Sequence, residues 1–134
     1  MGPATFTLGY TDTASGSSMR NPWSSYPGYS SVQVQDFNRA KESAAILKAA
    51  YDFLRHGVEG LTGYALWVHG SGLSAPVFNE DEYGFDLQWR PPKGGGDLRG
   101  LSFCMRYARV NQRGGGDPAI NDFRFIVNYD FPRP

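Results

Sequence analysis

The sequence predicts an all-β, antiparallel fold of six strands, and three observations carry that prediction. Residues 101 to 131 alternate in two runs: Leu101, Phe103, Met105 and Tyr107 against Ser102, Cys104, Arg106 and Ala108, then Phe123, Phe125, Val127, Tyr129 and Phe131 against Asp122, Arg124, Ile126, Asn128 and Asp130. A period of two puts odd residues on one face of a strand and even residues on the other, so one face is apolar and the other polar and charged. Aromatic residues make up 15% of the chain beside 17 glycines and 9 prolines; aromatic side chains suit pleated surfaces, and Gly and Pro supply bends. Similar strand-like segments recur along the chain with turn signals between them. Alternation alone leaves the direction of the faces open. In a soluble β-sandwich or small barrel the apolar face turns inward, whereas in a transmembrane barrel it turns outward to lipid.

The first strand is read over Ala4 to Thr11, with Phe6, Leu8 and Tyr10 opposite Thr5, Thr7, Gly9 and Thr11. The second, Ser43 to Phe53, is ambiguous. Ile46, Leu47, Ala50, Tyr51 and Leu54 share a helical stripe, and the Ala, Leu and Lys content of residues 43–54 favours helix when the segment is taken alone. As a strand it places Ala45, Leu47, Ala49, Tyr51 and Phe53 outside and Lys48 and Asp52 inside, in agreement with the other strands. The third, Leu61 to Val68, opposes Tyr64, Leu66 and Val68 to Gly63, Ala65 and Trp67, a pattern that leaves its outward face open. The fourth, Glu82 to Arg90, is clean: Tyr83, Phe85, Leu87 and Trp89 face one way, Glu82, Gly84, Asp86, Gln88 and Arg90 the other. The two runs of residues 101–131 supply the fifth and sixth.

Connections alternate in length. Those around His56-Gly57 and around Pro91-Pro92-Lys93-Gly94-Gly95-Gly96 are short, while Asp12 to Glu42, His69 to Asp81 and Asn111 to Asn121 are longer and rich in Ser, Gly, Pro and Asn. Tight turns at one end and extended loops at the other are how outer-membrane barrels are built. By that parity the chain is expected to end on the periplasmic side.

Thirteen basic and thirteen acidic residues cancel, so no overall field draws the chain to nucleic acid. The chain has no apolar run long enough for a transmembrane helix, which needs about 20 residues. Spanning strands need only alternating segments, which a mean hydropathy of -0.45 permits. The start Met1-Gly2-Pro3-Ala4-Thr5 has neither a basic nor an apolar signal region, so no signal peptide is expected in it. Enzyme chemistry finds no support. His56 and His69 fall in opposite classes of connection, the glycine triplets 94–96 and 114–116 lack the Lys-Ser/Thr of a phosphate loop, and two His with one Cys form no metal set. No cofactor is expected.

The loop string Arg20-Asn21-Pro22-Trp23-Ser24-Ser25-Tyr26-Pro27-Gly28-Tyr29, followed by Gln35-Asp36-Phe37-Asn38-Arg39-Ala40, resembles a signature loop of the OprD-type outer-membrane porins of Gram-negative bacteria. Asp97-Leu98-Arg99-Gly100-Leu101-Ser102, Arg106-Tyr107-Ala108 and Phe123-Arg124-Phe125-Ile126-Val127-Asn128-Tyr129 resemble the last strands of the same family. The resemblance runs over essentially residues 1–134, with residues 12–42 as a long extracellular loop. It implies a transmembrane β-barrel of roughly eighteen strands, of which this chain would supply the C-terminal six as an open sheet. It also implies an outer-membrane location, lipid and small solutes as partners, and remaining barrel strands drawn from the same full-length protein or a separate chain. Two departures stand out: Lys41 occupies a position where the family has glycine, and the chain runs past Phe131 into Pro132-Arg133-Pro134 instead of finishing on an apolar residue.

If lipid is the solvent, an Arg turned to mid-bilayer costs roughly 2 to 4 kcal/mol. Arg106 and Arg124 are therefore expected to face the channel, and Tyr83, Phe85, Leu87, Trp89, Phe103, Tyr107, Phe123, Phe125 and Tyr129 to face lipid. Lys48, Arg106 and Arg124, with Arg90, would form part of a basic ladder for solutes that the resemblance implies carry a carboxylate. Asp52, Glu82 and Asp86 share that face and are the acids available to pair with it.

Overall fold

The computed structural model describes residues 3–19, 32–73, 78–92, 100–114 and 118–131. The aromatic loop string of residues 20–29, Gly94 to Arg99, Gly115-Gly116 and Pro132-Arg133-Pro134 lie outside the described residues. Six strands follow one another as an antiparallel meander: β1 (Ala4–Asp12), β2 (Ser43–Asp52), β3 (Leu61–Ser71), β4 (Asn79–Trp89), β5 (Leu101–Arg113) and β6 (Ile120–Tyr129). A single 3-10 turn, Phe53–His56, links β2 to β3. Among the described residues both outer strands, β1 and β6, leave one edge unpaired, so the sheet is open.

The segment with helical composition is a strand. Residues 43–52 pair with β1 on one side and β3 on the other, from Ser43↔Ser71 to Asp52↔Thr62. Two flanking ladders satisfy its backbone groups, which outweighs a propensity difference of about 0.5 kcal/mol per residue. Strand character stops at Asp52, whose carboxylate accepts the Leu54 N–H at 3.0 Å and starts the 3-10 turn, so Phe53 leaves the ladder. Strands β3, β4 and β5 each extend several residues beyond their expected limits at the end that carries the long connections.

Apolar groups lie where a soluble domain would have charge. Phe6 is 75% exposed and Phe123 and Phe125 each 64%, whereas Glu42 and Glu82 are wholly buried. A soluble sandwich would bury the odd aromatic set, and this sheet does the reverse. In β3 the undecided face is settled: Trp67 is exposed beside Tyr83, and Val68 is buried under the long loop.

Tyr and Trp residues draw two lines across the odd face. Tyr10 lies in one cross-strand row with Ala45, His69, Asp81 and Asn111, and the upper line falls from it through Trp67 and Tyr83 to Tyr107 on β5. The lower line starts at Tyr51, whose row runs through Gly63, Leu87 and Met105 to Phe125, and falls through Trp89 to Tyr129 on β6. Each line drops four residues over four strand spacings, about 13 Å along the strands against about 19 Å across them. That slope is roughly 35°, the tilt of strands in membrane barrels, with an apolar band between two aromatic girdles.

On the other face the connection from β1 to β2 folds across the sheet. Phe37 is buried against Ala44 and Val68, and Gly70 makes room for it: a Cβ there would meet the Phe37 ring at 2.7 Å. Lys41, at the end of this loop, holds φ at +67, the region that favours glycine. Its N–H reaches the Thr13 carbonyl at 3.1 Å, which fixes the turn. Lys41→Gly is therefore expected to raise stability by about 1 kcal/mol through relief of backbone strain, and Lys41→Val to lower it. Urea unfolding of the detergent-folded protein checks this, and equal midpoints for the two variants would contradict it.

Candidate functional site

The even face of β2 to β6, continued by odd residues of β1, carries the charged groups. Two adjacent rows hold most of them. One runs Thr5, Ala50, Tyr64, Asp86, Arg106, Arg124, and the other Thr7, Lys48, Leu66, Gly84, Ala108, Asp122. Small residues at Gly84 and Ala108 keep the second row low, so a groove of about 700 Å³ opens beside Lys48, Tyr64 and Arg106 under Val32 and Gln33 of the loop.

Arg106 and Arg124 are direct cross-strand partners, a like-charge pair that would be unfavourable unless each were compensated. Each has its own acid. Arg106 Nε donates to Asp86 Oδ2 at 2.5 Å across β4 and β5, and Arg124 bonds Asp122 two residues earlier on β6. The acids lie deeper: the Asp86 side chain is 8% exposed and that of Arg106 42%. The guanidinium groups are thus the more exposed members of both pairs. Lys48 makes no ion pair among the described residues; its Nζ sits 3.8 Å above the Tyr64 ring, a cation–π contact that leaves its other donors open.

Glu82 pairs with none of these bases. Its carboxylate accepts three successive loop N–H groups, Gln33 at 3.0 Å and Val34 at 3.1 Å on Oε1 and Gln35 at 2.8 Å on Oε2. A wholly buried carboxylate is tolerable because these donors replace its water. Arg124 adds a bond to the Gln33 carbonyl at 3.3 Å. A second clamp sits where the loop returns: Arg39 binds Glu42 at 2.7 Å and lies 3.2 Å from Glu80, which Gln112 also contacts at 2.8 Å. Burial alone would lower the Arg39 pKa, but the bonds and charges of Glu42 and Glu80 hold it above its ordinary value.

Two of the residues named from the sequence stand apart from the groove centre. Asp52 caps the 3-10 turn, and Arg90 follows β4 at the short-turn end, its N–H bound to the Gly60 carbonyl at 2.9 Å. The odd-numbered aromatic residues from Tyr83 to Tyr129 all share the opposite face. The loop anchor was not visible in the sequence. Glu82 reads there as one more inward acid, and nothing local links it to Gln33, Val34 and Gln35, 47 to 49 residues away.

A family model described as outer membrane porin, OprD family, matches residues 1–133. Among solved structures, Pseudomonas aeruginosa OccK5 (OpdH) is 26% identical with a TM-score of 0.80, over 96% of this chain and 36% of that one. Pseudomonas aeruginosa OpdL is 25% identical with a TM-score of 0.82, over 95% and 36%. Pseudomonas aeruginosa OpdK, solved with vanillate, is 22% identical with a TM-score of 0.85, over 96% and 35%, a likeness of fold. The chain thus spans about a third of the length of these structures. No curated protein matches it.

Replacing Glu82 by Ala strands three half-buried donors and is expected to release the loop at a cost of about 3 kcal/mol. With Cys104→Ser as background, a cysteine placed at Val34 should then react with a polar thiol reagent about tenfold faster, and Glu82→Gln should be intermediate. Equal labelling rates in the Ala variant and its parent would show that Glu82 does not hold the loop.

Proposed function

Because this chain belongs to the OprD family of outer-membrane porins, we propose that its even face lines a channel for diffusion of small polar solutes bearing a carboxylate, and that its odd face meets lipid. The observation that supports this most is the placing of Lys48, Arg106 and Arg124 in two adjacent rows, with Asp86 beneath Arg106 and Lys48 free of any acid among the described residues. A guanidinium keeps its proton at all working pH values and meets a carboxylate through two parallel N–H donors. Weak attachment at several such points draws an anion inward without trapping it, so selection follows from channel width and lining charge. The loop pinned by Glu82 narrows the passage above the groove. Asp52 and Arg90 belong to the inner mouth of the proposed channel.

Among the described residues both edges of the sheet present unpaired backbone groups, which the hydrocarbon of a bilayer does not tolerate. The proposed pore is therefore completed by further strands, from a longer polypeptide or a separate chain, that pair with β1 and β6. On its own the 134-residue chain is expected to give no conductance steps in a planar bilayer; discrete steps would contradict this. In the completed pore, Arg106→Glu combined with Arg124→Glu should move the reversal potential in a salt gradient by tens of millivolts toward cation selectivity. An unchanged reversal potential would remove the basic residues from the mechanism.

A further inference from the structure

Arg109 points to the odd face from β5, one residue pair above Tyr107 on the upper aromatic line, and is exposed. At about 3.3 Å per residue on a strand tilted by roughly 35°, its Cα stands about 5 Å beyond that line. This is the end of the sheet that carries the long connections, which in such barrels is the external end. Arg109 is therefore at the depth of outer-leaflet headgroups.

Its neighbours leave it uncompensated. The nearby acid, Asp81, is already held by Arg113 Nε at 3.1 Å and His69 Nδ1 at 2.7 Å. Arg109 makes no ion pair among the described residues; its Nε donates to Asn111 Oδ1 at 3.1 Å, which steers the guanidinium and leaves the Nη donors unused. Asn121, its cross-strand partner, accepts from the Tyr107 hydroxyl at 2.8 Å and turns one Nδ2 donor to the Ala119 carbonyl at 3.5 Å, which leaves the other. An exposed, planar cation with Asn111 and Asn121 beside it and Tyr83 as its cross-strand neighbour is suited to a tetrahedral anion on an acyl-chain carrier.

We propose that Arg109, with Asn111 and Asn121 beside it, binds a phosphate group of an outer-leaflet lipid. The site is separate from the channel and rests on the odd face meeting lipid. The completed barrel that contains this chain, purified in detergent, is incubated with hexa-acylated lipid A bearing two phosphates, and retained lipid is counted by native mass spectrometry. Arg109→Gln should lower retention about tenfold, the equivalent of one charge-assisted hydrogen bond. Arg109→Lys should restore part of it, and Arg55→Gln, in the 3-10 turn at the other end, should leave it unchanged. Lipid A stripped of phosphate should bind all variants alike. Equal retention by Arg109→Gln, or full displacement by millimolar inorganic phosphate, would overturn the proposal. Quenching of Trp67 by brominated lipid, with Trp23 and Trp89 replaced by Phe, reports the orientation separately: no quenching defeats the lipid-facing reading itself, whereas quenching with unchanged lipid A retention defeats only the phosphate site.

Discussion

Every peptide group of a strand in a membrane must find its hydrogen-bond partner in another strand, and this requirement organises the chain. Five antiparallel pairings meet it between β1 and β6 and leave the two outer edges to further strands. They also explain β2: once β1 and β3 flank residues 43–52, helix would leave two ladders unpaired. Unbroken register then aligns the alternation from strand to strand, so Trp67, Tyr83 and their odd-numbered neighbours gather on one surface, and Lys48, Asp86 and Arg106 on the other.

The same requirement reaches the loop that crosses the charged face. At Gln33, Val34 and Gln35 the Glu82 carboxylate takes the place of a neighbouring strand. Charge is thereby divided into two kinds on one face. Glu82, Glu42 and Glu80 hold structure together through backbone donors and Arg39, while Arg106, Arg124 and Lys48 keep donors toward open space. An inward acid in such a sheet can thus anchor a loop as well as pair with a base.

The sheet was largely legible in the sequence because a period of two is a local signal. Clean alternation in residues 82–90, 101–108 and 122–129 marked β4, β5 and β6 and divided their residues between two faces. Where both faces are apolar, as with Tyr64, Leu66 and Val68 against Trp67, the pattern is silent, and only the Phe37 contact with Val68 shows which side is covered. Strand ends were shorter than observed because β3, β4 and β5 continue into polar residues such as His69, Asp81 and Arg113, which form their own cluster. Lys41, where the resemblance leads one to expect glycine, stands at positive φ, the backbone region that favours glycine. The Glu82 clamp and the separation of Arg109 from Asp81 depend on register between distant segments, and no local pattern encodes them.

The central claim is the direction of the two faces, and β5 tests it most directly. Spin labels placed singly at residues 102 to 110 of the completed barrel in lipid bilayers report collision with oxygen, which concentrates in hydrocarbon, and with a water-soluble nickel chelate. With the odd face to lipid, oxygen accessibility should peak at 103, 105 and 107, nickel accessibility at the even positions that the loop leaves open, and the two profiles should run out of phase with a period of two. Oxygen maxima at 104, 106 and 108, or profiles without that period, would contradict the inverted sheet.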